Sequence, residues 1–151
     1  MPTFEPRDPD FEAKVRDSFG RQTAMQTLGA VVSKVQPGEV EIEMPYRADL
    51  TQQHGFIHGG IVTAIVDSAC GYAAFSLSAP DTTVLTVEYK VNFVAPAKGE
   101  RLVARGEVVR PGATVTVCKG NVLAYENGEE KLVATMLTTL MLMPNRADLA
   151  G

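Results

Sequence analysis

With 151 residues the chain predicts a single domain, 1–151, long enough to bury a core of its own. Fourteen Lys and Arg against 18 Asp and Glu leave a net charge of −4, which excludes a basic nucleic-acid footprint. The acidic, proline-bearing start MPTFEPRDPDFEAK is no signal peptide, and Gly, Asp or Ser interrupts every long apolar run, so the reading is a cytoplasmic protein with no membrane partner.

Residues 1–8 read as a loose leader. A short helix over 10–19 follows from Phe11, Val15 and Phe19 at four-residue spacing, with Gly20 as its stop. The run 28–35, rich in Ala and Val, predicts a strand. After the Pro37-Gly38 turn, residues 40–44 alternate Val, Ile and Met with Glu, so the two strands form a hairpin with one face in water. A polar loop over 45–51 leads into the stretch 52–80, QQHGFIHGGIVTAIVDSACGYAAFSLSAP. From His58 or Gly59 to about Ser78 this predicts a helix some 30 Å long, apolar nearly all round and rich in small residues. Such a helix is wrapped by other elements. Beyond Asp81 the period changes to two. Strands are predicted over 84–94, 102–109, 115–125 and 132–143, separated by Pro96-Ala97-Lys98-Gly99, Arg110-Pro111-Gly112 and Asn127-Gly128. Four successive strands predict an antiparallel meander. The whole is an α+β domain of about six strands, its sheet curved around the long helix, with a core over about 23–143 and a flexible leader and tail. Cys70 and Cys118 sit in apolar surroundings and read as reduced core thiols.

The chemistry concentrates in the long helix. No Ser, Thr, Asn or Asp caps its start, so the first N–H groups at Gly59 and Gly60 are expected to be free, forming an anion or oxyanion site that a ligand can approach closely. The alternative is a plain glycine turn. Asp67 is the only formal charge of the stretch apart from the two histidines. A lone buried carboxylate costs several kcal/mol unless it is paired. Either Ser68, Thr63 or a backbone group satisfies it, or it works as a base whose pKa burial has raised. Gly59 and Asp67 are eight residues apart, about 12 Å along a helix and roughly 80° around it. Reacting groups must approach within about 3–3.5 Å, so one helix cannot present both to a single carbonyl. If both act on one substrate, two chains supply them, which implies a two-fold dimer with composite sites. His54 and His58 have metal-ligand spacing. Gly55 and the Gly pair break the helix that spacing needs, and no third ligand is near, so no metal site is expected. His58 instead orients the turn by hydrogen bonding. VDSACG around Asp67 is not a nucleophile elbow, and Cys70 has no base partner.

The run YRADLTQQHGFIHGGIVTAIVDSACGYAA resembles the hotdog-fold acyl-CoA thioesterases of the PaaI type. Their pattern is an amide residue, then G-x-x-H-G-G, then an acid nine residues after that His. Here these are Gln52, Gly55, His58-Gly59-Gly60 and Asp67. VEYKVNFVAPAKGERLVARGEVVRPG extends the likeness, which covers roughly residues 28–143. The resemblance implies dimers, often paired into tetramers, and hydrolysis of an acyl-CoA thioester without a cofactor, CoA being part of the substrate. It implies that Gly59 N–H and Gln52 polarise the carbonyl, and that Asp67 of the partner is general base or nucleophile. Thr86 would help to place the water, and His58 would support the loop. Two departures stand out. Gln52 replaces the usual Asn, and Ala113 replaces a basic residue after the turn glycine. Arg110, with Gly112 as a backbone donor, is left as candidate for the nucleotide phosphates, against a plain solvated turn. The rival readings are a non-catalytic acyl-CoA binder and, behind it, an enoyl-CoA hydratase, whose close Asp–His pair the spacing of His58 and Asp67 does not supply in one chain.

Overall fold

The computed structural model describes residues 3–144 and 148–151. Two short helices, α1 (Phe11–Gly20) and α2 (Thr23–Leu28), precede the hairpin β1 (Val31–Gln36) and β2 (Glu39–Pro45). The long helix α3 (Gly59–Leu77) is followed by β3 (Thr82–Phe93), β4 (Arg101–Arg110), β5 (Val115–Glu126) and β6 (Glu129–Pro144). All strands pair antiparallel in one sheet that packs against α3.

Twelve of the 19 residues of α3 are buried, which its apolar and small side chains require. By length and hydropathy α3 would suffice to cross a membrane, but here it lies against the concave face of the sheet. Ile65 and Val66 are fully buried, each contributing about 1.5–3 kcal/mol. The closest approach is at a glycine pair. Gly106 and Gly120 face each other across β4 and β5. A Cβ on Gly106 would overlap the backbone of Ala69, and one on Gly120 would lie 2.7 Å from Cys70 Sγ. The helix therefore rests on bare backbone. Gly106→Ala is expected to cost about 3 kcal/mol or more, because the obstacle is main chain and cannot swing aside. The denaturant midpoint checks this, and an unchanged midpoint would refute the contact.

The ends of α3 are held specifically. His58 caps the start. At the other end Lys14 Nζ donates to Ser78 O at 3.0 Å and Ser78 Oγ at 3.1 Å, and lies 4.6 Å from the centre of the Phe75 ring. A cation at the negative end of a helix is favourable. Burial lowers the Lys14 pKa, while Asp8, 3.6 Å away, opposes that.

Three expectations change. Leu28 ends a helix instead of opening a strand. Met25 and Leu28 bury one face of α2, Gly29 closes it at φ +71°, and β1 starts at Val31. Described from Thr3, the leader is not loose, since Asp8 is buried and Arg7 N–H donates to Leu77 O at 3.5 Å. Met1 and Pro2 lie outside the described residues, as do 145–147 of the tail, whose last residue accepts a hydrogen bond from Arg21. Finally, the four-strand meander is three strands, β4–β5–β6. The order across the sheet is β1-β2-β4-β5-β6-β3. β3 pairs with β6 at the far edge, and the chain then crosses to bring β4 beside β2. A sheet that grips α3 from both sides needs strands at both margins. This crossover leaves β3, 12 residues long, as an open edge.

Candidate active site

The start of α3 is shaped by the loop before it. Thr51 and Ile57 form an isolated antiparallel bridge, which closes residues 52–56 into a tight turn. Gly55 supplies the φ of +84° that the turn requires. The Gln52 side chain braces it, its Oε1 accepting from His54 N–H at 2.5 Å and Phe56 N–H at 3.4 Å. Two backbone donors fix that oxygen inward, so the Nε2 amide group points away with both protons unspent among the described residues. Gln52 thus presents a donor despite its extra methylene.

The first turn of the helix is not uncapped as expected. His58 is the cap, its Nδ1 accepting from Gly60 N–H at 2.9 Å. The Gly60 donor is therefore spent and is not free for a ligand. Gly59 N–H has no acceptor among the described residues, and it sits at the positive end of α3. A Cβ on Gly59 would lie 3.1 Å from the Phe93 ring, so glycine also makes room for that ring. Gln52 and Gly59 line one cavity of about 470 Å³, walled by Phe56, Val62, Phe93 and Pro96. His54 is exposed on the loop.

Asp67 lies two turns further along α3 and is half-buried, not engulfed. Neither Ser68 nor Thr63 satisfies it. Ser68 Oγ accepts from Gln22 Nε2 at 3.2 Å, and Thr63 Oγ1 donates back to Gly59 O at 2.8 Å. The partner is Thr86 on β3, whose Oγ1 donates to Asp67 Oδ1 at 2.8 Å. Burial raises the Asp67 pKa and the Thr86 hydrogen bond pulls against it. A carboxylate of raised basicity, oriented by one hydroxyl and open on its other side, is suited to taking a proton near neutrality. Asp67 and Thr86 line a second cavity of about 150 Å³, between α1, α3 and the β3–β6 margin.

The two cavities share no lining residue. Within one chain, donors and base thus face different spaces. β3 runs between them, with Thr86 at one cavity and Phe93 at the other. Along this edge strand Val87 is 56% exposed and Phe93 53% exposed. Arg110 and Gly112 join neither cavity. Arg110 is exposed past a β-bulge. Gly112 N–H donates to Thr116 Oγ1 at 3.3 Å, and a Cβ there would overlap Val115 O, so the turn itself accounts for this glycine. The chain alone brings together Asp67 with Thr86, and Gln52 with Gly59. The position of Phe93 against Gly59 went unread in the sequence, where it is one more alternating strand residue. So did the approach of Ser18, Gln22 and Tyr72 to Asp67.

The profile of the Thioesterase superfamily matches residues 54–131. The crystal structure of a thioesterase family protein from Silicibacter pomeroyi is 56% identical, with a TM-score of 0.88, covering 89% of this chain and 99% of that one. A protein of Halobacterium salinarum named "Putative esterase" is 37% identical over 119 residues, 76% of this chain and 78% of its own length. The PaaI protein from the Escherichia coli phenylacetic acid degradation operon has a TM-score of 0.80 over 89% of this chain and 94% of its own, and at 18% identity shares the fold. The sheet curled around α3 thus has its counterpart in solved proteins, and the chain belongs to the thioesterase superfamily of hotdog-fold hydrolases.

Proposed function

We propose that the chain hydrolyses acyl-CoA thioesters at two equivalent sites, each shared between two copies. The observation that carries this is the separation of the parts. Two unspent N–H donors line one cavity and a basic carboxylate lines another, with an open strand edge between them. Antiparallel pairing of β3 with β3 of a second copy places the Thr86 end of one chain beside the Phe93 end of the other. Asp67 of one copy then faces Gly59 of its mate. Val87, Tyr89 and Phe93, exposed on the single chain, become covered. On the outer face of the sheet, Leu85, Met141 and Val115 are neighbours across three strands and exposed, which supports back-to-back pairing of dimers.

In this scheme Gly59 N–H and Gln52 Nε2–H hold the thioester oxygen. Asp67 of the second copy takes a proton from water, whose oxygen attacks the carbonyl carbon. The oxyanion collapses, the C–S bond breaks, and the CoA sulfur leaves with the proton returned from Asp67. The products are a free carboxylic acid and CoA. Direct attack by Asp67 gives a mixed anhydride that water cleaves to the same products. His58 holds the helix start through its cap, and exposed Arg110 is a candidate for the nucleotide phosphates. No resident cofactor enters any step. The two cysteines are free and buried, in keeping with a cytoplasmic enzyme.

Thiol release from a panel of acyl-CoAs tests the reading, and an absence of turnover with every member would sink it. So would full activity in a species that gel filtration shows to be a monomer. Thr86→Val removes the hydrogen bond that favours the ionised carboxylate. The Asp67 pKa then rises further, and the acid limb of the kcat/KM profile moves to higher pH. At neutral pH roughly a tenfold loss is expected, the worth of one hydrogen bond to a charge. An unmoved limb would remove Thr86 from the site.

A further inference from the structure

We propose that the β-bulge at Val87 decides which side chain of β3 meets Asp67, and that Thr138, which pins the bulge, is a positioning residue of the site. Its kinetic readout rests on the thioesterase reading, and its geometry does not. Thr86 and Phe93 both face α3, one donating to Asp67 and the other packing against Gly59. They are seven residues apart. Side chains of a regular strand alternate with a period of two, so an odd spacing sends them to opposite faces. The residues opposite them on β6 are Leu140 and Ala134, six apart and both buried. Over the same length β3 thus carries one residue more than its partner. The excess is Val87, which is skipped between the pairs Thr86 with Leu140 and Glu88 with Thr139.

Without the bulge, and with the pairing from Glu88 onward unchanged, Val87 would stand opposite Leu140 and Thr86 would turn to the outer face. A slip of one residue exchanges faces in this way. Asp67 would then lie against an isopropyl group, which donates no hydrogen bond. Val87 is exposed, so packing within the chain gives no reason for the extra residue. What holds the bulge at this step is Thr138. Its Oγ1 donates to Glu88 O at 3.0 Å, the carbonyl just after the extra residue. Thr138 is fully buried, in the row Leu140, Thr138, Met136 and Ala134 that β6 turns toward α3, and it is the one polar side chain there. A buried hydroxyl costs stability unless it is bonded, so the carbonyl it serves accounts for a threonine where valine would fill the same space.

The test reads Asp67 directly, by NMR titration of its isotope-labelled carboxyl, and again through the acid limb of kcat/KM. Tyr72 is the other titratable side chain lining the cavity at Asp67, and Cys70 lies near it on α3; burial pushes both up, so neither titrates with it. Thr138→Val keeps the shape and removes the donor. The Asp67 midpoint should then rise, because the Thr86 hydrogen bond that favours the ionised form is lost as the strand slips, and kcat/KM at neutral pH should fall between about threefold and tenfold. Thr138→Ser keeps the donor and should titrate as wild type. Deleting Val87 makes the ladder regular with Thr86 still opposite Leu140, so this variant should also titrate as wild type, and adding Thr138→Val to it should not move the midpoint. A merely structural threonine would lower the melting temperature in Thr138→Val and leave the midpoint in place, which would overturn the proposal, as would an equal rise in Thr138→Ser. Should Thr138→Val not fold, the Val87 deletion decides, and a raised midpoint in it overturns the proposal. An absence of turnover with every acyl-CoA would remove the thioesterase reading and leave the titration to judge the bulge.

Discussion

Asp67→Asn is expected to lower kcat by about 10³-fold with little change in KM, the scale of a lost general base. The substitution keeps size and shape, and Thr86 Oγ1 can still donate to the amide oxygen, so the 2.8 Å contact has a successor. What disappears is proton affinity. The wild-type profile of kcat/KM should fall as pH drops, because the base must be ionised. Burial places that limb above the range of an exposed aspartate, and the Asn variant should lack it altogether. Stability gives an independent control whose sign can be worked out. A raised pKa in the folded state means that the native protein holds this proton more tightly than the unfolded chain does. The resulting stability is present in acid and is lost as pH rises through the folded pKa. At neutral pH the desolvated carboxylate is thus a liability. The Asn variant should melt at or above the wild-type temperature, with the gap closing toward acid. A variant that loses activity because it unfolds would show the opposite. Wild-type turnover by a folded Asn variant would eliminate Asp67 as the base.

Much of this was legible because it lies along one helix. The apolar length of α3, its single acid and the eight residues separating Gly59 from Asp67 are local facts. They sufficed to indicate that donors and base do not meet within a chain, which the two separate cavities agree with. Strand positions were legible to within a few residues for the same reason, since alternation is local. Pairing order was not. Nothing in the short turn before β4 says that the chain crosses the sheet there, and so the open edge at β3 could not be foreseen. Close approaches were equally hidden. Alternation alone does not single out Gly106 and Gly120, yet the backbone of Ala69 lies on one and Cys70 on the other. The cap was missed because histidine is not among the usual capping residues, although its Nδ1 accepts as a carboxylate or hydroxyl oxygen would. Ser18 and Gln22 were invisible as site residues, since helix packing alone brings α1 to Asp67.

Gln52→Glu provides the second large effect, and with it a decisive test of shared sites. Glu keeps an oxygen to accept from His54 N–H and Phe56 N–H, so the turn remains braced. It replaces the outward donor with a negative oxygen that repels the developing oxyanion. Loss of one such donor costs about 10²–10³-fold in kcat. The informative experiment is to combine the two defects. Chains carrying Gln52→Glu and chains carrying Asp67→Asn are co-expressed with different tags, and only mixed dimers are purified. With sites shared across the two-fold, one site collects both defects and the other collects neither, so about half of wild-type activity returns. If each site lay within one chain, both would be defective and nothing would return. The reciprocal dimer reverses the outcome. A doubly substituted chain paired with a wild-type chain spoils both shared sites, one through Gln52 and one through Asp67, whereas a site contained in one chain would leave half the activity. Recovery in the first dimer together with loss in the second is the pattern that only sites shared between two chains produce, as the β3-to-β3 arrangement requires, and the reverse pattern would refute it.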